Sequence, residues 1–261
     1  MTDIAVALAP EKIVHWGFIA ARLGGLMSSA PMFGQQQIPL RVRAVVTVAV
    51  AVGMAALVPV GAAAGVRDAL TFAGLLVLEF GTGLMFGLAA ELLFTGVMMG
   101  GQLAGIHMGL GIANVIDPRS HLEATPIALW TQFVALQVFL AIDGHHLLLR
   151  AALRSFELVP PGTLTLSGPE IGALLTLVGG AFEVAVRIAA PVLAGLLITD
   201  TGLALLARAI PQLNVFVMGF AIKIGVGFLI LGAAVPFMAR FVSLRVSQLD
   251  GTLVRLLGGL P

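Results

Sequence analysis

The chain contains no cysteine. That excludes a disulfide framework, a thiolate nucleophile and a cysteine metal site, though it does not identify the redox compartment. Charge is scarce: Asp, Glu, Lys and Arg make up 10% of the 261 residues, against roughly a quarter in a typical soluble domain. The formal net charge of +1 offers no basic surface for a nucleic-acid partner. A basic leader is missing too. Asp3 and Glu11 precede the first basic residue and the first apolar stretch holds Arg22, so no cleavable signal peptide is expected. The glycines lie in apolar helix-packing runs and do not follow a strand, and no Ser/His/Asp order can be assembled. Enzymatic chemistry and a cofactor are therefore not expected.

What the chain has in abundance is apolar surface, with 59% hydrophobic residues and a mean hydropathy of +1.07, more than one soluble core can hide. Six apolar segments, approximately 13–34, 44–64, 69–100, 124–149, 171–199 and 213–239, reach the roughly 20 helical residues that cross about 30 Å of hydrocarbon. The one long connector, 150–170, carries Pro160, Pro161 and Pro169. These features predict a single all-α membrane-associated unit of long, kinked helices. If every segment spans, the N-tail, second and fourth loops and C-tail hold seven Lys/Arg and the other loops four, which favours cytoplasmic termini.

Arg22, Glu79, Glu91, Glu183, Arg187 and Lys223 all fall inside those segments. Each costs about 2.5–3.5 kcal/mol at a bilayer centre on insertion scales. Glu183 and Arg187 stand at i and i+4 and can pair on one helical face, where a buried structural ion pair is expected. Arg22, Glu79, Glu91 and Lys223 have no partner at helical spacing, so they require pairing between helices or a wet cavity. For Glu79 and Glu91 a proton or ion relay is the alternative. Gly83 with Gly87, and Gly101 with Gly105 and Gly109, repeat the small-xxx-small spacing of close helix packing. Pro31, Pro59, Pro126, Pro191 and Pro236 free backbone carbonyls that lipid cannot satisfy. Both features fit one part of a larger assembly.

The stretch "GQLAGIHMGLGIANVIDPRSHLE" (101–123) combines glycines that weaken a helix with an apolar surface. The sequence predicts a non-helical loop over roughly 105–116 at membrane depth, which protein or a lumen must surround. Pro118 precedes a helix restart near Ser120, where Ser120 and Glu123 have capping-box spacing. A packing loop with no gating role is the alternative. In "DGHHLLLR" (143–150), His145 and His146 beside Asp143 invite a metal, but adjacent residues of a regular helix point about 100° apart and no second ligand pair accompanies them, so no metal site is expected.

Taken in order, several stretches resemble the flagellar biosynthesis protein FliR family, whose counterpart in virulence injectisomes is the SctT-type protein. They are Pro31 with Phe33, Pro39 with Arg41 and Arg43, Glu79 with Gly83 and Gly87, Gly101-Gln102, "MGLGIANVIDP" (108–118), "DGHHLLL" with Ser155-Phe156 and Pro160, Ala190-Pro191, Asp200, and "ARAIPQLNVF" (207–216) with Lys223 and Gly227. The resemblance covers nearly the whole chain, and "GHH" and "PQLNVF" lean to the flagellar branch.

The resemblance implies a core subunit of a type III export gate in the bacterial inner membrane and flagellar basal body. One copy would join FliP-like and FliQ-like subunits around a protein-conducting pore. FlhB-like and FlhA-like export proteins, membrane lipid and exported flagellar proteins are the other implied partners. Residues 1–164 would be FliP-like, and 165–261 a FliQ-like helical hairpin with a C-terminal tail. A pore-plugging loop would fall on Gly105, Ile106, Met108, Gly109, Leu110, Gly111, Ile112 and Pro118. In that family the assembly sits largely above the membrane plane, which makes the six segments doubtful as literal spans. An equivalent injectisome subunit and an ion-coupled secondary transporter are the alternatives, but the transporter should show an internal repeat and none is found. A scaffold that nucleates assembly without lining the pore also fits the packing residues.

Overall fold

The computed structural model describes residues 10–34, 38–58, 68–111, 124–163, 169–210, 212 and 214–256. Seven helices occupy them in chain order: α1 (Pro10–Ser29), α2 (Leu40–Ala55), α3 (Ala69–His107), α4 (Pro126–Ala141), α5 (Gly144–Leu158), α6 (Pro169–Ala209) and α7 (Val215–Leu256). No strand occurs among the described residues, as an apolar pattern without period-2 alternation predicts.

The helix starts follow local chemistry. Asp68 caps α3, its carboxylate accepting the Thr71 N–H and the Thr71 hydroxyl, each at 3.2 Å; the N–H bond holds the Asp68 carboxyl below its ordinary pKa. Thr125 caps α4, its hydroxyl accepting the Ala128 N–H at 3.3 Å, and Pro126 takes the first helical position, where no N–H is needed. Asn214 caps α7 by accepting the Val217 N–H at 3.3 Å. The restart expected at Ser120 lies outside the described residues; the helix described there begins at Pro126.

Among the described residues three helices are long and apolar enough to cross a membrane, within Ala69–His107, Leu175–Ala209 and Val217–Leu249, or four if α4 and α5 form one broken span. Six were expected. The difference has physical causes. α2 has 16 residues and reaches only about 24 Å. α1 carries Lys12, His15 and Arg22. The apolar segment 124–149 is interrupted at Ile142 and Asp143, where Asp143 adopts a left-handed conformation with φ 56°.

The chain forms two compact units, one of residues 1–92, 143–177 and 246–261, the other of 93–142 and 178–245. In the first, Ile19, Leu23, Ala51, Met54, Val58, Ala152 and Phe156 make a buried cluster joining α1, α2 and α5. α1 and α3 touch backbone to backbone, because a Cβ at Gly83 would fall on the Arg22 carbonyl and one at Gly87 on the Ser29 hydroxyl. The outer face of α2 leaves Val45, Val48 and Val52 more than half exposed, an apolar surface of the kind that contacts lipid or another protein. In the second unit the same device joins α3 to α4: Gly101 and Gly105 leave room for Ala128, Thr131 and Thr125. Phe94 and Phe139 pack edge to face at 5.4 Å between ring centroids.

Candidate functional site

Four features stand out: the turn that ends α3, two clusters of charge, and a histidine pair. The turn is a Schellman motif. The Gly109 N–H donates to the Ile106 carbonyl and the Leu110 N–H reaches back to the Gly105 carbonyl, both at 2.9 Å, with Gly109 in the left-handed region at φ 91°. That is the position where glycine stops a helix at no steric cost. Gly105 and Ile106 are thus still helical, and the loop expected from 105 starts at Met108. Ile112 and Pro118 lie outside the described residues.

The start of this loop is seated in the second unit. Met108 is fully buried, with its side chain occupying a notch over Gly227 of α7: a Cβ on that glycine would stand 2.6 Å from Met108 Cγ. Gly109 lies against the Phe220 ring, whose Cζ would be 2.8 Å from an added Cβ. Beside them is an open cavity of about 430 Å³, lined also by Leu203, Ala204, Asp200 and Lys223. Lys223 Nζ pairs there with Asp200 Oδ1 at 2.5 Å. Met108 is therefore an anchor at the loop's base rather than an exposed apolar group. Ile106, expected to act with it, is 51% exposed.

In the first unit Arg22 is completely buried, and each of its three guanidinium nitrogens donates a hydrogen bond. Its Nε donates to Glu79 Oε2 at 2.6 Å, Nη1 to the Ser155 hydroxyl at 2.9 Å and Nη2 to the Val159 carbonyl at 3.1 Å. The guanidinium lies 4.2 Å from the Phe156 ring centroid. Glu79 Oε1 accepts the Gly162 N–H at 2.9 Å. A buried ion pair persists when its remaining donors and acceptors are satisfied, and here both carboxylate oxygens are used. Glu91 differs. Its side chain is half-buried, with no hydrogen-bond or ion-pair partner among the described residues.

The second unit holds the other cluster. Glu183 Oε1 accepts Arg187 Nε at 2.9 Å, the i,i+4 pair expected from spacing, and also Arg245 Nη2 at 2.6 Å; the pair was expected to be buried, but Arg187 and Glu183 are 57% and 43% exposed. Both guanidinium groups lie over the Phe241 ring, 5.9 and 5.3 Å from its centroid.

Asp143, His145 and His146 bring one potential ligand atom each within 4.8 Å. The spacing argument assumed a regular helix, but Asp143 stands outside it, and the two imidazole rings approach to 4.2 Å. His146 Nδ1 lies 3.4 Å from Asp143 Oδ1.

Sequence reasoning picked out Arg22, Glu79, Glu183, Arg187 and Lys223 from their charge alone. It assigned no role to Ser155, Arg245, Phe220 or Gly227. Asp200 was detectable as a carboxylate at the edge of an apolar segment. Gly227 entered only as a residue of the family resemblance; its packing role was not legible, because a single helical glycine carries no spacing signal.

The chain matches the family described as "Bacterial export proteins, family 1" over residues 13–249. It is similar to the Flagellar biosynthetic protein FliR of Escherichia coli (strain K12), 30% identical over 244 residues that cover 92% of this chain and 91% of that one. The protein of the same name from Pectobacterium carotovorum subsp. carotovorum is 29% identical over 244 residues, 93% of this chain and 91% of its own. That from Bacillus subtilis (strain 168) is 34% identical over 155 residues, 57% and 59% of the two chains.

Proposed function

This chain belongs to the bacterial export proteins, family 1, and we infer from that membership that it is a core subunit of the flagellar type III protein export gate. It helps form, and seals, the pore through which unfolded flagellar proteins leave the cell. The flagellar assignment follows the relatives, which carry the name Flagellar biosynthetic protein FliR. On this reading the protein resides in the inner membrane at the flagellar basal body. It assembles there with FliP-like and FliQ-like subunits and meets FlhB-like and FlhA-like export proteins. Residues 1–164 correspond to the FliP-like part and 165–261 to the FliQ-like hairpin and tail. It needs no catalytic residue, cofactor or metal.

The observation that supports gating most is the seated turn. A glycine stops α3 so that an apolar, glycine-rich loop begins at a defined point, and Met108 fixes that point in the Gly227 notch. An apolar, glycine-rich segment on a fixed base closes a lumen to water and ions, yet is displaced by a passing chain. A photo-crosslinker at Leu110, with an export substrate arrested in transit, tests this. Crosslinks to the arrested substrate are expected. Their absence in an assembled, exporting complex would make this chain a scaffold rather than a gate.

A further inference from the structure

In the second unit α6 and α7 flank an open groove of about 490 Å³, within the range of ~300–1,000 Å³ typical of small-ligand sites. Ala190 and Pro191 line one side, and Ile230, Ala234 and Phe237 the other. Its one charged lining residue is Arg187. Arg187 belongs to the cluster in which two guanidinium groups share a single carboxylate, Glu183, so that cluster carries one more positive than negative charge. Arg187 is 57% and Arg245 29% exposed, and Phe241 lies beneath both. The order is therefore apolar groove, then an accessible cation pair with one charge unneutralised.

The position of that cation along the helices agrees with a membrane boundary. The apolar stretch Leu175–Ala209 has 35 residues, about 52 Å of helix, so only part of it fits in about 30 Å of hydrocarbon. No charged residue occurs in the 12 positions between Arg187 and Asp200 or the 16 between Lys223 and Arg240, a neutral band of about 18–24 Å. Arginine side chains extend toward the headgroups from the edge of such a band. The groove opens on the apolar side of Arg187, where an acyl chain would lie.

We propose that this groove binds one anionic phospholipid, with an acyl chain against Pro191, Ala234 and Phe237 and the phosphate between Arg187 and Arg245. Guanidinium groups match phosphate geometry and are weakly hydrated. A neighbouring helix could fill the apolar part, but it would leave the excess charge without a counter-ion. An anionic lipid supplies tail and anion in the order the surface presents them.

The test uses the full chain, purified in mild detergent with whatever subunits accompany it. Retention of added phosphatidylglycerol and phosphatidylcholine is compared by native mass spectrometry, with helix content checked for each variant. One interfacial charge gives a preference of about fivefold for phosphatidylglycerol. Arg187→Gln and Arg245→Gln each leave a neutral Glu–Arg pair and should abolish the preference, whereas Glu183→Gln doubles the excess charge and should increase it. Ala233→Phe, at an exposed groove position, should reduce retention of both lipids. Equal retention of the two lipids by the parent would overturn the proposal, as would a preference unmoved by the arginine changes or lowered by Glu183→Gln. Loss of an accompanying subunit in Ala233→Phe, with no lipid preference in the parent, would assign the groove to a partner helix instead.

Discussion

Replacing Gly227 by alanine should unseat the loop that follows α3. The added Cβ would stand 2.6 Å from Met108 Cγ, 2.7 Å from Cε and 2.8 Å from Sδ, well inside the ~3.5–4.0 Å of ordinary carbon contact. Overpacking of this kind costs about 1–3 kcal/mol. Alanine also strengthens a helix interior by about 1 kcal/mol over glycine, but that gain is present whether or not Met108 is seated. The clash exists only in the seated state. The seated-to-unseated ratio should therefore fall by the whole penalty, roughly five- to 140-fold. The assay is small-solute permeability of cells carrying the variant, beside a secretion assay and with assembly verified. Gly227→Ala should leak while export persists. Met108→Ala should leak as well, since it removes the anchor. In the double variant the clash is gone, so Gly227→Ala should add nothing further, a coupling of about 1 kcal/mol or more in a double-mutant cycle. An assembled Gly227→Ala gate no leakier than the parent would refute the reasoning. So would two additive effects.

Removing either partner of the buried Arg22–Glu79 pair should cost about 3–5 kcal/mol through the charge left behind, and Arg22→Met with Glu79→Leu should cost less than the two singles summed; thermal unfolding of the purified complex measures it. His15 is buried, neither ring nitrogen has a well-aligned hydrogen-bond partner, and burial outweighs the nearby Val58 and Ala55 carbonyls in lowering its pKa. A His pKa lower folded than unfolded means stability that is complete above about 6.5 and lost as pH falls through the folded value; a melting temperature falling below about pH 6 in the parent but less in His15→Phe is the expected result. His145→Gln and His146→Gln should each leave secretion nearly intact, and loss of export rescued by added zinc would contradict that.

Some of this architecture was legible because it is local. Gly83 with Gly87, and Gly101 with Gly105, announce close helix contacts by spacing alone, and Glu183 with Arg187 announces an ion pair. Other features depend on chain separation. Arg22 meets Glu79 across 57 positions, so the sequence could demand a partner without naming it. The break at Ile142 and Asp143 carried a turn signal in Asp143-Gly144, but the long apolar runs on either side outweigh it in a hydropathy reading, which does not record a left-handed φ. The loop was recognisable by its glycines, but its starting point was not. Gly105, Gly109 and Gly111 look alike in sequence, and only the Schellman bonds distinguish the glycine that ends the helix from the one still inside it. The Met108 anchor was misjudged for the same reason: an apolar side chain in a loop reads as sealing surface until its notch is seen.

The central claim is that the loop beginning at Met108 closes the pore. The most direct measurement deletes residues 112–117, leaves the Met108–Gly111 seat intact, and records ion permeability of the cells beside secretion and partner assembly. The account predicts gates that assemble and export but conduct small ions at rest. Assembled, exporting gates that leak no more than the parent would contradict it and reduce the loop to a packing element.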